Sequence, residues 1–373
     1  MILERSDSAC QHPLARQVDR LAADTWGGKK PTVLIGRDDA LAECLEQIAR
    51  FAASDSPALI TGETGTGKEL FARALVLLSD RRHRPFLTVN CAQYQDGQLI
   101  ASELFGHKRG SFTGALADHR GLFEEGDGGV VFLDEIGELT LGAQAMLLRV
   151  LGDGEIVPVG GTQAKRVDVR VVAATSRDLG PMVQQGTFRA DLYYRLRYLT
   201  VEVPPVRSRG EDWELIASYY LDQLRAKRRT TKSLSEESRE MMRSYSWPGN
   251  VREVRSIIDT GFHLSNGPSI EPRDFARKLE VIARADQVGR IPVARDTMTA
   301  VRRMIDGHES FWDVVYHPYR QRELSRAEVR EILAQGLDQT RGSYKRLVAL
   351  YNMAATDYLK FMDFLRHQQL KPQ

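Results

Sequence analysis

Apolar residues recur along this chain in two rhythms. Between Ile35 and about Val203, short runs of apolar positions alternate with stretches of helical period; the runs are Ala58-Leu59-Ile60, Phe86-Leu87-Thr88-Val89, Val130-Val131-Phe132-Leu133 and Val169-Arg170-Val171-Val172-Ala173-Ala174. Strands that are apolar at consecutive positions bury both faces, which points to a parallel sheet flanked by helices. After Pro204-Pro205 the period is helical through about Arg284, with Trp213, Leu215, Ile216, Tyr219, Leu221 and Leu224 toward one side. The pattern thus predicts an α/β subdomain over 35–203 and a small helical subdomain over 204–284.

The flanks read differently. Residues 1–34 are polar and run through Gly27-Gly28-Lys29-Lys30-Pro31, which predicts a short arm with no room for a separate sensory domain. Gly289, Pro292, Gly307 and Pro318 interrupt 285–320, a predicted linker with one short helix. Residues 321–373 are periodic again: a helix carrying Leu324, Ala327, Glu328, Glu331 and Leu337 ends near Gly342, and helices follow over Tyr344–Tyr351 and Thr356–His367. That spacing is the layout of a helix-turn-helix. Within 325–373, eight Lys or Arg stand against five acids, a mild excess that favours DNA.

Composition excludes more than it selects. A chain of 373 residues with 42% hydrophobic and 27% charged residues is ordinary for a globular protein of two or three domains, and a net charge of +2 gives no global polyelectrolyte signal. Cys10, Cys44 and Cys91 are widely scattered, which argues against a disulfide scaffold or zinc site and fits a reducing cytoplasm. No apolar run reaches the length of a membrane span, so neither a membrane nor a signal sequence is expected.

Two motifs carry the chemistry. Gly62-Glu63-Thr64-Gly65-Thr66-Gly67-Lys68 follows a strand and opens a helix, the context in which G-x-x-x-x-G-K wraps backbone N–H groups around phosphate. Lys68 then reaches the terminal phosphates, while Glu69 stands where the general motif has a magnesium-binding hydroxyl. Magnesium must rely on carboxylates elsewhere, and the strand Val130–Leu133 ends in Asp134 and Glu135. Asp134 is the expected magnesium residue, and Glu135 the group that orients or deprotonates the attacking water. Together these motifs predict nucleoside triphosphate hydrolysis with Mg2+.

Between them lies a stretch without such chemistry, Gly110-Ser111-Phe112-Thr113-Gly114-Ala115. Its glycines and lack of period describe a surface loop, and Phe112 either meets a partner or folds back onto the core. The basic run Arg81-Arg82-His83-Arg84 is expected to be a solvated loop, and His107 and His119 beside the Phe112 loop are not expected to hold a metal.

Four stretches resemble one known family: Gly62 through Glu69, Ser102-Glu103-Leu104-Phe105-Gly106-His107, Gly110 through Ala115, and Phe132-Leu133-Asp134-Glu135-Ile136. The chain is similar over about 34–280 to the bacterial enhancer-binding proteins, AAA+ ATPases that activate transcription by sigma-54 RNA polymerase. Glu69 is usual in that family, and Ser111 replaces the first alanine of its Gly-Ala-Phe-Thr-Gly-Ala loop. The resemblance implies that the nucleotide is ATP, that Gly110, Ser111, Phe112, Thr113, Gly114 and Ala115 contact sigma-54 and that the subunits assemble into a hexamer. Arg189 and Arg195, which alone would read as surface helix charges, correspond to fingers that reach a neighbouring subunit's γ-phosphate. Arg252 in Trp247-Pro248-Gly249-Asn250-Val251-Arg252-Glu253 corresponds to the second sensor, and Thr175 to the first, although Ser176 follows where the family often has Asn or His. Asn90 matches the residue that holds the catalytic Glu.

The C-terminal layout is similar to the family's Fis-like DNA-binding ends. It implies upstream enhancer DNA as a partner, with Arg341, Thr356, Tyr358 and Lys360 as contacts and Asp357 unfavourable beside phosphates unless it accepts from a cytosine amine. Without a sensory module, control is expected from a separate regulatory protein, a partner subunit or expression level. Two other classes fit parts of the pattern, a DNA-bound ATP-binding scaffold or switch and an AAA+ remodeller of another client. Glu135, Arg189 and Arg195 argue for turnover and so against the first.

Overall fold

Alternate residues of the apolar runs face opposite ways, and this decides the architecture. The strands are β1 (Ala58–Thr61), β2 (Phe86–Asn90), β3 (Val130–Asp134), a two-residue pair β4 (Glu155–Ile156) and β5 (Lys165–Arg166), β6 (Arg170–Thr175) and β7 (Leu199–Glu202). Five of them form one parallel sheet in the order β2-β3-β6-β1-β7. Ala58, Ile60, Val130, Phe132, Val172 and Ala174 are buried on one face, and Leu59, Val131, Leu133, Val171 and Ala173 on the other. Four of these strands coincide with the apolar runs. The fifth, β7, alternates apolar and polar residues because it lies at the sheet's edge.

The computed structural model describes residues 12–27, 31–94, 97–280, 297–320, 324, 326–340, 342–367 and 370. They divide into a unit of 1–283 and a unit of 284–373. Within the first, the helix Lys68–Leu77 is buried at Phe71, Ala72, Ala74, Leu75, Val76 and Leu77, nearly all round. A helix of that kind needs cover on its outer side as well as a sheet beneath it. The helix Asp39–Ala52 and a helix over Pro13–Trp26 supply it, the latter through Ala15, Val18 and Ala22, with Trp26 stacked on Phe86 at 5.7 Å. The stretch expected to be a polar arm therefore holds a helix that closes the core. Its apolar stripe is short, which is why composition hides it.

Residues after Pro205 build the helical lid. Helices Asp212–Arg228 and Asn250–Leu264 pack together around Trp213, Trp247, Ile216, Ile257 and Ile258, with the two indoles stacked at 6.3 Å.

In the second unit, the expected linker is largely structural. A helix over Thr297–Ile305, a π-helical turn over Trp312–Tyr316 and a helix over His317–Arg320 bury Val301, Met304, Phe311, Val314 and Val315 with Val329, Ile332, Leu347, Tyr351 and Phe361. Gly307 and Pro318 punctuate short helices here rather than an open connection, while Gly289 and Pro292 lie outside the described residues. Helices Arg326–Gln339, Tyr344–Leu350 and Tyr358–His367 follow the expected layout. Among the described residues no helix is long and apolar enough to cross a membrane.

Candidate active site

Parallel strands bring their C-terminal ends to one edge, and here those of β1, β3 and β6 carry the phosphate loop, Asp134 and Thr175. β6 lies between the other two. Gly65 and Gly67 have φ of 82° and 94°, which only glycine adopts without strain, and a Cβ on Gly65 would lie 2.3 Å from the Gly249 carbonyl oxygen of the lid. Lys68 is buried, and its Nζ donates to the Gly62 and Glu63 carbonyls at 2.9 and 3.2 Å. The same Nζ lies 3.9 Å from Glu135 Oε1.

Electrostatics join these groups. Burial lowers the Lys68 pKa, Glu135 and Asp134 oppose the fall, and Arg252 adds to it, so all four charges share one neighbourhood. Burial raises the Asp134 pKa, with Glu135 adding to the rise and Lys68 opposing it. Thr66 Oγ1 donates to the Glu63 carbonyl at 2.8 Å and so braces the loop from within. Glu69 pairs with Arg73 at 2.6 Å on the following helical turn. Thr175 is fully buried and its Oγ1 accepts from the Arg177 amide at 3.0 Å.

The lid reaches the loop through Asn250, which belongs to the second-sensor motif, and through Arg207, which sequence reasoning did not single out. Asn250 Nδ2 donates to Glu63 Oε2 and to the Thr64 carbonyl, both at 3.1 Å, while its Oδ1 accepts from the Val206 amide at 2.8 Å. Asn250 has φ of 52°, so it forms a turn-to-helix joint rather than an ordinary cap. Arg207 adds a two-pronged ion pair to Glu63, with Nη1 at 2.7 Å from Oε2. The amide of Arg252 donates to the Gly65 carbonyl at 3.3 Å, which sets the expected second sensor on the phosphate loop.

Glu135 sits in the left-handed region, φ 51° and ψ 54°, directly after β3. Its carboxylate accepts from the Ser176 amide at 3.0 Å and from Ser176 Oγ at 3.0 Å to each oxygen. Asn90, expected to hold this carboxylate, accepts through Oδ1 from the Ala92 amide at 2.9 Å and caps the turn Cys91–Gln93. It ends β2 opposite Asp134, one residue from Glu135. A short amide oxygen at a strand end captures the nearest free N–H, which here lies two residues on.

The two candidate fingers sit at the two ends of one helix, Ala190–Leu196, with Arg189 as its N-cap and Arg195 in its last turn. Arg189 pairs with Asp191 at 2.8 Å, and its amide donates to Oε1 of the fully buried Gln144 at 2.8 Å. Arg195 donates to the Leu151 carbonyl at 2.9 and 3.2 Å. Both are solvent-exposed, as are Tyr194 and Tyr198 beside them.

In the loop of Gly110–Ala115, the Gly110 amide donates to the Ala115 carbonyl at 2.8 Å. Phe112 is half-buried, folded edge-on against the His107 ring at 4.9 Å, and His107 Nδ1 lies 2.6 Å from Ser102 Oγ. Ser111 packs against Gly160, leaving its Oγ buried without a partner among the described residues. A small residue is what that contact requires; the hydroxyl adds nothing to it. Thr113 and Gly114 are exposed, and Leu116 is 87% exposed.

Two further expectations change. Arg81 is no solvated charge, since it pairs with Asp55 and Asp168 at 2.8 Å and donates to the Gly129 and Asp168 carbonyls at 3.1 Å. In the second unit, Asp357 accepts from Trp312 Nε1 at 3.1 Å. Lys360 is exposed with its ammonium over the Trp312 ring at 4.2 Å, Thr356 is exposed and Tyr358 is half-buried. Arg341 lies outside the described residues.

A parallel sheet with a phosphate loop, an acidic strand end beyond an inserted strand, and a helical lid docked on the loop define a P-loop nucleotide-binding protein of the AAA+ class. Residues 34–202 match the sigma-54 interaction domain, and 207–290 the AAA+ ATPase lid domain. Residues 34–290 therefore belong to the sigma-54 interaction family of AAA+ ATPases. The chain is 46% identical over 267 residues to the DNA-binding transcriptional activator HyfR of Escherichia coli (strain K12), covering 71% of this chain and 40% of HyfR. It is 44% identical over 257 residues to the DNA-binding transcriptional regulator NtrC of Azospirillum brasilense, covering 69% and 52%. The chain spans about half the length of the curated relatives it matches. The crystal structure of NtrX from Brucella abortus in complex with ATP superposes with a TM-score of 0.61 at 26% identity, over 90% of this chain and 69% of that one. Its ADP complex gives 0.62, over 95% and 73%.

Proposed function

We propose that this chain hydrolyses ATP with Mg2+ in a ring of like subunits, and uses turnover to move the Gly110–Ala115 loop against sigma-54 RNA polymerase so that promoter DNA opens. The observation that carries the reading is the convergence of Lys68, Asp134, Glu135 and Arg252 on the phosphate loop, within a unit whose sigma-54 interaction domain also contains the Phe112 loop. NtrX, similar in fold, is solved with ATP and with ADP, which supports adenine nucleotide at this loop.

Among the described residues no three His, Cys, Asp or Glu side chains are grouped to hold a metal unaided. That fits magnesium, which takes one or two carboxylates and completes its shell with phosphate oxygens and water. Asp134 would hold it. Lys68 neutralises charge on the terminal phosphates, and Glu135 accepts the proton of the attacking water. Arg189 and Arg195 act on the neighbouring subunit's nucleotide, where an arginine contributes about 10³ to 10⁵ in rate by countering charge on the transferred group. Thr113, exposed at the loop's tip, touches sigma-54, with Phe112 swinging off His107 to join it. The basic C-terminal unit binds upstream DNA, with exposed Thr356 and Lys360 toward the phosphates.

Promoter opening by sigma-54 polymerase with this protein and ATP tests the reading. Wild type should open the promoter. Glu135→Gln should bind ATP yet lose turnover by at least about a hundredfold and open nothing. Thr113→Ala should keep its ATPase and lose opening. Hydrolysis without opening in the wild type would reassign the chain to another client.

A further inference from the structure

The second unit brings one aromatic side chain to the place where its charges would meet DNA. Trp312 begins the π-helical turn Trp312–Tyr316, and its ring packs edge-on against the buried Phe311 and against Tyr316 at 5.8 and 5.0 Å. Its Nε1–H donates to Asp357 Oδ2 at 3.1 Å, and the Lys360 ammonium lies over its ring at 4.2 Å. Asp357 ends the short turn Ala355–Asp357, and Lys360 stands in the first turn of the helix Tyr358–His367. In a helix-turn-helix, that end of the second helix is the one that meets DNA. A carboxylate and an ammonium three positions apart on helical backbone tend to pair with each other. Lys360 would then have its charge met within the chain, and a phosphate would gain little from it. In the arrangement seen, each group is held by the indole instead. The N–H binds the carboxylate, while the ring face attracts the ammonium without neutralising it and leaves N–H donors for an incoming oxygen.

We infer that Trp312 is the positioning residue for Lys360, holding its ammonium back from Asp357 and presenting it to a DNA phosphate. The inference rests on the reading of this unit as DNA-binding. Trp312 acts from outside the helix-turn-helix, through a turn that the buried Phe311 anchors in the shared core. Lys360 is exposed, as are Lys345 and Arg346 on the helix Tyr344–Leu350. The first helix of such a pair crosses the DNA backbone, so these two cations and Lys360 serve the same sequence-independent contact.

The test is binding of the full chain to a mixed-sequence DNA duplex of about 30 base pairs, read as the slope of log affinity against log salt between about 50 and 200 mM, because each phosphate contact counts in that slope whatever the sequence. Thermal unfolding of each variant checks the fold. Lys360→Ala should lower the magnitude of the slope by about 0.9, the loss of one phosphate contact. Trp312→Leu should lower it by a similar amount with Lys360 still in place, because the ammonium turns to Asp357. So should Trp312→Phe, which keeps a ring in the packing but has no N–H for the carboxylate. Adding Asp357→Asn to either Trp312 variant removes the competitor and should restore the wild-type slope, which a merely disturbed fold would not allow. An unchanged slope in Lys360→Ala or in either Trp312 variant, or no restoration by Asp357→Asn, overturns the inference. A wild-type chain that fails to bind the duplex, or binds it without salt dependence, would instead overturn the reading of this unit as DNA-binding, and this inference with it.

Discussion

Arg170 shows how far one residue's role depends on what lies above it. It interrupts an apolar run and is 1% exposed, with its guanidinium donating to the Phe51, Ala52 and Ser56 carbonyls at 2.7, 3.2 and 3.3 Å. The Phe51 and Ala52 carbonyls end the helix Asp39–Ala52, where a cation complements the helix dipole, and the Ser56 carbonyl lies just beyond it. Burial lowers the Arg170 pKa to about 10, so the group stays charged at neutral pH. Arg170→Met should cost about 3 kcal/mol in urea unfolding, because it takes the guanidinium donors from the Ala52 and Ser56 carbonyls and one donor from the Phe51 carbonyl. A loss under about 1 kcal/mol would mean that water replaces the guanidinium. At this scale the sequence marked Lys68, Asp134 and Glu135 by spacing alone. It did not mark Gln144, nor show what Ser176 and Asn250 bond to, because the partners at Arg189, Glu135 and Glu63 are remote in the chain.

Between elements, the informative contact is that of lid and phosphate loop. Glu63 receives Arg207 and Asn250 from the start of the lid and from its second long helix, so the loop's shape and the lid's position are set together. Arg207 and Glu63 are each nearly half exposed, and a pair of that kind adds little to global stability. Its consequence is local. Arg207→Ala should raise KM for ATP several-fold while the unfolding midpoint stays close to wild type, as measured by steady-state ATPase and thermal denaturation. An unchanged KM would show that Asn250 holds the turn alone. Most elements were legible because consecutive apolar residues and caps are local signals. The helix Pro13–Trp26 was not, since its three buried residues gain meaning only against the helix Lys68–Leu77 that it covers.

For the whole molecule, the placement of Arg189 and Arg195 matters most. Both are exposed and tethered within their own chain, to Asp191 and to the Leu151 carbonyl. A subunit by itself would therefore hydrolyse ATP without them. Specific ATPase activity should fall on dilution, in step with loss of the assembled species in sedimentation, and mixing in Arg195→Ala subunits should depress the activity of wild-type neighbours. A rate per subunit independent of concentration would sink the trans assignment. The second unit has its own core around Phe311, Tyr351 and Phe361, so residues 297–320 of the expected linker belong to a packed body. Trp312 is the residue that recasts the expected DNA contacts, by binding Asp357 and covering the Lys360 ammonium.

The sequence by itself determined the parallel sheet, the phosphate loop, the acidic strand end and the exposed loop between them. Each is encoded in neighbouring residues, by period, spacing or glycine placement, and survives without knowledge of what lies across the fold. Tertiary structure decided which group holds Glu135, what caps the helix above Arg170, how the lid grips Glu63 and where Phe112 rests. Those are contacts between residues distant in the chain, and hydrogen bonds of that kind depend on backbone positions that only the packed core fixes.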